Sequence, residues 1–261
     1  MYTFTGRVRY SETDQDGFLS LEGVMDYLQD CSTFQSEDLG IGIAYMQERN
    51  VAWLVNYWQI DIYALPRLGD PIVIGTSPYA LKGFMGLRNF MIESPEGQRL
   101  VEANSVWSFM NMDRMMPERV PEIMEEKYVL APRFDMEYTP RKIAVPEDGG
   151  TTREAVHVTE TMLDSNHHVN NVQYVRLAAA YLDPNEKILR LRAEYKNQAR
   201  LGDKITPVVY TRGNTRTIAL NADDGRPYSI IEFSAAQGMP VDPFVPGMGT
   251  ETLQRCESAN G

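Results

Sequence analysis

The sequence predicts an α+β fold built twice, each half a long helix followed by an antiparallel meander, and three observations lead there. A helix-period stripe follows Ser20, and another begins near Asn171. Behind each stripe come strand-like runs separated by Gly, Pro and Asp turns. Leu68-Gly69-Asp70 in the first half has a counterpart in the second, Leu201-Gly202-Asp203. The reading divides the chain into a first unit over 1–131, a linker over 132–152 rich in Pro, Gly and charge, a second unit over 153–234, and a tail over 235–261 without periodicity that reads as extended or disordered.

In chain order, a short strand is expected over 2–9. Ser20 then caps a helix whose apolar face is Leu21, Val24, Met25, Leu28 and Cys31, with Gly40 as its stop. Strands follow over 51–64, 72–76, 84–93 and 100–112, with turns at Pro66, Gly69-Asp70-Pro71 and Pro95-Glu96-Gly97. The second half opens with a short strand at His157. A helix is expected over 171–181, and strands over 189–195, 204–211, 216–221 and 227–234.

A net charge of −11 argues against a nucleic-acid surface, which needs clustered Lys and Arg. Two cysteines, Cys31 and Cys256, make a structural disulfide improbable, the first ten residues carry no apolar signal core, and no run reaches membrane-spanning length. These features read as a cytosolic protein with free thiols.

All three histidines fall within twelve positions, two of them inside Asp164-Ser165-Asn166-His167-His168-Val169-Asn170-Asn171, just ahead of the second helix. A side chain that exchanges protons near neutral pH, an amide, a carboxylate and a helix start can there meet around one substrate carbonyl. Amides at the helix start, around Asn170 and Asn171, lack intrahelical acceptors and favour negative charge, which makes an oxyanion site. His157, in a strand pattern, reads as structural, and His167 as a solvent-facing neighbour.

A long helix wrapped by an antiparallel sheet is the hot-dog fold, and two such units make a tandem (double) hot dog. Asp164-x-Asn166-x-His168-Val169-Asn170-Asn171-Val172-x-Tyr174 closely resembles the signature of plant and bacterial acyl-ACP thioesterases. Gly83-Phe84-Met85-Gly86-Leu87-Arg88-Asn89-Phe90, followed by Gly97-x-x-Leu100-x-x-Ala103-x-Ser105-x-Trp107-x-x-Met110-Asn111, resembles that family's first half. The likeness runs from about residue 2 to about residue 234.

The resemblance implies hydrolysis of fatty acyl-ACP to free fatty acid and holo-ACP, ending fatty acid synthesis, with acyl carrier protein as the partner; no metal or organic cofactor is expected, because the few histidines lack a thiol or carboxylate set at ligand spacing beyond this motif. It puts Asp164, Asn166 and His168 at the family's Asp, Asn and His. Where plant members carry an adjacent Glu-Cys pair, this chain reads Gln198-Ala199, so no thiol can attack there, and water activated by Asp164 or His168 is the expected nucleophile. Asp14, Asp16 and Phe18 hold the matching places in the first unit, which has therefore lost the base. All three tryptophans and ten of the fourteen methionines precede residue 130. With the family's acyl pocket assigned to the first hot dog, Met25, Leu28, Trp53, Trp107 and Met110 are the expected pocket residues. Arg190, Arg192 and Lys196 share one strand face and are the candidate contact for an acidic carrier. Two other readings are an acyl-CoA thioesterase of the same fold and a non-catalytic acyl-sensing protein. A homodimer is possible.

Overall fold

A computed structural model describes residues 1–164, 166–183 and 186–236. In chain order the elements are β1 (Tyr2–Arg7), α1 (Leu21–Asp38), α2 (Ile43–Glu48), β2 (Val51–Ile62), β3 (Pro71–Lys82), β4 (Met85–Glu93), β5 (Arg99–Asn111), β6 (Met116–Pro117), α3 (Glu122–Lys127), β7 (Thr151–Thr152), β8 (Val156–His157), α4 (Asn171–Ala179), β9 (Ile188–Tyr195), β10 (Lys204–Arg212), β11 (Thr215–Asn221) and β12 (Pro227–Ala235). The strands form one antiparallel sheet in the order β1-β3-β4-β5-β2-β9-β12-β11-β10-β7, with β6 on β5 and β8 on β10. Outward from the β2/β9 contact, β5-β4-β3-β1 on one side mirrors β12-β11-β10-β7 on the other. The halves are thus related by a pseudo-twofold axis between β2 and β9, which pair from Tyr57↔Glu194 to Asp61↔Arg190. This is the tandem hot-dog arrangement, and the α+β class expected from the sequence holds.

Local chemistry sets both helix starts. Ser20 Oγ accepts the Gly23 N–H at 3.1 Å, and Asn170 Oδ1 accepts the Val172 N–H at 2.9 Å. Beyond the end of α1, Gly40 adopts φ +67°, a left-handed turn that glycine enters without steric cost. Val24, Met25, Leu28 and Cys31 of α1 and Val172, Tyr174, Val175 and Ala178 of α4 are buried in one continuous core against the inner face of the sheet.

The sheet departs from simple alternation at Asn56. Val55 pairs with Trp107 and Tyr57 with Val106, so Asn56 is the extra residue of a β-bulge. Before the bulge the odd residues Val51, Trp53 and Val55 face inward; after it Trp58 and Ile60 do, and Tyr57 faces outward. A second irregularity, between Pro78 and Ala80, lets β3 run on to Lys82, past the expected end at Thr76. The short α2 and α3 lie in segments that carry too few residues for a helical period to show.

The segment over 132–150 crosses the outer face of the sheet and is tied down by side chains. Gln59, fully buried, donates to Glu137 O at 2.7 Å and accepts the Thr139 N–H at 3.0 Å. Asn89, also fully buried, accepts from Phe134 N–H at 3.1 Å and Tyr138 O–H at 3.0 Å. Ile143 packs with Tyr57, Val106 and Ile230 in a small outer cluster.

This strap takes up Arg190 and Arg192 of the expected carrier-binding stripe, whereas Lys196, past the end of β9, stays exposed. The two arginines share the outer face of β9, which lies at the centre of the sheet and is covered there. Arg190 pairs with Asp61 and, at 2.8 Å, with Glu137. Arg192 pairs with Glu232 at 2.6 Å and donates to Tyr57 Oη and Pro140 O, and Lys196 pairs with Glu194 at 2.7 Å. Met110 is corrected as well: it alternates with Phe109 and sits on the opposite sheet face from Trp107, away from the helices. The expected tail begins too early, because Ala235 ends β12 and Ala236 N–H donates to Lys187 O at 3.0 Å. Residues 237–261, Cys256 among them, lie outside the described residues. Among the described residues no helix is long and apolar enough to cross a membrane.

Candidate active site

The loop that enters α4 is built by Asp164. Its Oδ1 accepts the N–H groups of Asn166 at 2.8 Å and His168 at 3.4 Å, its own N–H donates to His168 O at 2.8 Å, and its carbonyl accepts the His167 N–H at 3.1 Å. An Asx turn of this kind draws five residues into a tight loop. His167 stands at its corner with φ +61° and faces solvent.

The same loop exists in the first unit. Asp14 Oδ1 accepts from Asp16 and Phe18 N–H at 2.9 Å each, Asp14 N–H donates to Phe18 O at 2.8 Å, and Gly17, with φ +78°, holds the corner where His167 stands in the second. Each loop is braced by a turn of identical sequence, Arg67-Leu68-Gly69-Asp70 or Arg200-Leu201-Gly202-Asp203. Leu19 N–H donates to Pro66 O at 2.8 Å and Val169 N–H to Ala199 O at 2.9 Å. Asp70 Oδ2 accepts from Arg67 N–H and Asp203 Oδ2 from Arg200 N–H, both at 2.8 Å. The frame is therefore common to both units, and the side chain at its centre differs: Phe18 in one, His168 in the other.

His168 is 9% exposed and its Nδ1 is buried without a partner among the described residues. Burial, chiefly, and the Arg200 charge push its pKa below the ordinary histidine value; Asp164 opposes them. The ring is thus a neutral acceptor at neutral pH. Asn166 is exposed on the same loop, as is Gln198 on the strand-to-turn segment beside it. Gln198 lines a surface groove of about 300 Å³ with Asn197, Arg200, Asp203, Arg226 and Tyr228. Of the helix-start amides, Asn170 N–H donates to Met162 O at 2.9 Å and is not available to a ligand, which removes it from the expected oxyanion pair. Val172 N–H is taken by the Asn170 cap, so Asn171 N–H is the amide of this first turn outside those bonds.

Ala199, fully buried, takes the place expected for a cysteine; its N–H donates to Tyr174 Oη at 2.9 Å. Tyr195 Oη donates to the Asn171 carbonyl at 3.1 Å and so ties β9 to the helix start. Cys31 is buried in the core and its thiol is pushed up to about 12 by burial, which leaves it without nucleophilic character. Among the described residues no three His, Cys, Asp or Glu side chains converge as metal ligands do.

The expected acyl-pocket residues do not form one set. Met25, Leu28 and Trp107 share the main core, whereas Trp53 packs on Phe109, ring centroids 5.0 Å apart, in a neighbouring cluster. Gly86 makes room for Trp53, since a Cβ there would lie 3.1 Å from its indole. Sequence reasoning gave no role to three polar groups: Tyr174 and Arg88, quoted there only as motif positions, and Arg200. Arg88 is buried, donates to Gln35 Oε1 and to Thr76 Oγ1, and lies 5.2 Å from the centre of the Tyr128 ring. The arginine that precedes both Leu-Gly-Asp turns was the available signal for Arg200; an Arg in a strand run carries no sign of its burial.

Residues 1–128 match the family model of the acyl-ACP thioesterase N-terminal domain, and residues 147–226 that of its C-terminal domain. A chloroplastic acyl-[acyl-carrier-protein] hydrolase of Cuphea viscosissima is 25% identical over 210 residues, which is 74% of this chain and 50% of that protein. The chain spans about half the length of the curated relatives it matches. Among solved structures, an acyl-ACP thioesterase from Bacteroides thetaiotaomicron superposes with a TM-score of 0.81 at 19% identity, covering 90% of this chain and 97% of that one. The 12:0-ACP thioesterase of Umbellularia californica gives 0.79 at 17% identity, covering 90% and 96%.

Proposed function

Because the chain belongs to the acyl-ACP thioesterase family, we propose that it hydrolyses fatty acyl thioesters of acyl carrier protein in the cytosol, with His168 as the base. The observation that carries the reading is a neutral, buried imidazole set on a rigid loop in the second unit, where the first unit has only Phe18. His168 takes a proton from water as the oxygen attacks the thioester carbonyl carbon. The oxyanion that forms faces the Asn171 N–H at the positive end of α4. Collapse breaks the C–S bond, and the departing sulfur receives the proton from the imidazolium, giving free fatty acid and holo-carrier. Asp164 shapes the loop; in support, Asp14 makes the same bonds in a loop that has no base. Asn166 and Gln198, exposed on either side, are the amides we assign to holding the water or the carbonyl. Met25, Leu28 and Trp107, with Trp53 beyond them, are assigned to the acyl chain.

The test is turnover of matched acyl-ACP and acyl-CoA across chain lengths by the wild type and by His168→Asn. The proposal expects faster release of fatty acid from acyl-ACP than from acyl-CoA and a loss of about 10²-fold or more in the variant. Preference for acyl-CoA would favour the coenzyme A reading, and tight acyl binding without turnover would favour a sensor.

A further inference from the structure

In the first unit the Arg67 guanidinium lies over the Phe18 ring, 4.3 Å from its centre. The second unit repeats most of the backbone bonds around this pair; the Leu68 N–H to Gly17 O bond, which bridges Arg67 to Phe18, has no counterpart between Leu201 and His167 among the described residues. Pro66 O and Ala199 O receive the equivalent loop amides, and the two Arg-Leu-Gly-Asp turns close with the same 3.0 Å bond, Asp70 N–H to Arg67 O and Asp203 N–H to Arg200 O. Arg67 and Arg200 are both exposed, while the residues before them, Pro66 and Ala199, are both buried. We propose that Arg200 is a positioning residue for the proposed reaction, covering the His168 ring as Arg67 covers Phe18 and fixing the plane in which the imidazole meets water.

A planar guanidinium stacks on a flat ring without needing a hydrogen bond from it, so the contact occupies neither ring nitrogen. The groups facing the ring are Asp164 and His167 on its own loop and Arg200 on the turn packed against it; Tyr174 of α4 reaches that turn through Ala199 N–H. Arg200 lowers the proton affinity of His168 and Asp164 raises it. A cation on the ring is thus disfavoured in the resting enzyme, and the base is kept unprotonated. In the first unit the same contact covers an aromatic ring with nothing to titrate, and it is the built-in control. The inference rests on the proposed function only in calling His168 the base; the contact itself can be tested without substrate.

The experiment compares Arg200→Gln, Arg200→Lys and Arg67→Gln in the full chain by NMR titration of the His168 ring, one of only three histidines, and by the pH profile of kcat/KM. Removing the charge should move the His168 midpoint to higher pH and carry the acid limb of activity with it, so that Arg200→Gln loses several-fold more rate at the acid end than on the plateau. Arg200→Lys should hold the midpoint near that of the wild type, and Arg67→Gln should leave it unmoved. A midpoint unchanged in Arg200→Gln, or moved as far by Arg67→Gln, overturns the proposal. If the midpoints shift as expected but no thioester is cleaved by the wild type, the contact stands and the proposed function fails.

Discussion

Two adjacent histidines separate into different settings, one exposed and one buried, because the loop turns between them. His167 occupies a left-handed corner that Gly17 fills in the first unit, so His167→Gly should leave turnover near wild type and stability within about 1 kcal/mol. His167→Val places a β-branched side chain at positive φ and should cost about 1–2 kcal/mol, read by thermal unfolding. His168→Ala should instead lower kcat by about 10²-fold or more with the fold retained. The depressed proton affinity of His168 has two signed consequences. The acid limb of activity should lie below the ordinary histidine range, and the contribution of the neutral ring to stability, present above the unfolded-state pKa, should be lost as pH falls through the folded one. An acid limb in the wild type above the free-histidine value would contradict both. At this scale the sequence was readable where chemistry is local: the Asx-turn aspartate, the cap and the proposed base sit within seven positions, from Asp164 to Asn170. Asn170's own amide was not, because its acceptor, Met162 O, depends on how the loop closes.

Strand β9 shows what alternation can and cannot reveal. The period of two separated Arg190 and Arg192 from Leu191 and Ala193 correctly, but it says nothing of what lies on each face. Here the polar face is roofed by the 132–150 strap, and the arginines clamp it. Arg190→Ala leaves Asp61, itself 6% exposed, with only the Gln59 amide and no cation, and should cost about 1–3 kcal/mol in chemical denaturation. The same substitution should leave KM for acyl-ACP unchanged; a large rise in KM with stability intact would restore the stripe as a docking surface. The Asn56 bulge is likewise invisible in sequence, since Val55-Asn56-Tyr57-Trp58 carries no glycine or proline to mark it, and only the register against Trp107 and Val106 exposes the switch of faces.

Across the whole molecule, one sheet and one core join the halves. Residues of α1 and α4 share that core, and β2 meets β9 along its central edge. Unfolding should therefore be a single transition, with tryptophan fluorescence, which reports only the first half because Trp53, Trp58 and Trp107 all lie there, coinciding with circular dichroism. Separate midpoints would mean that the halves are autonomous. Continuity of the core also bears on chain-length selection. Two methylenes are worth about 1.6 kcal/mol, or roughly fifteen-fold in binding. Substitutions at Met25 or Leu28 should move the preferred acyl length by a few carbons, and those at Val172 or Val175 should chiefly lower the rate. A profile that responds equally to both sets would make the shared core, rather than its first-unit wall, the determinant. The duplication itself was legible from the repeated Leu-Gly-Asp and the two helix stripes, because each is a local pattern. The merging of the two cores was not, because it is a property of how the halves meet.

The pseudo-twofold axis between β2 and β9 sets two equivalent loops on one chain. In an assembly of two identical chains every mutation appears at both loops at once, so a phenylalanine in place of the histidine would silence the protein. Once both copies lie on one chain, each loop answers to selection alone. The loop at Asp14 can thus carry an aromatic ring and a glycine corner while its twin carries the histidine. On the proposed function the chain carries one turnover site per fold, and the other loop is released to specialise without any penalty to the reaction at the first.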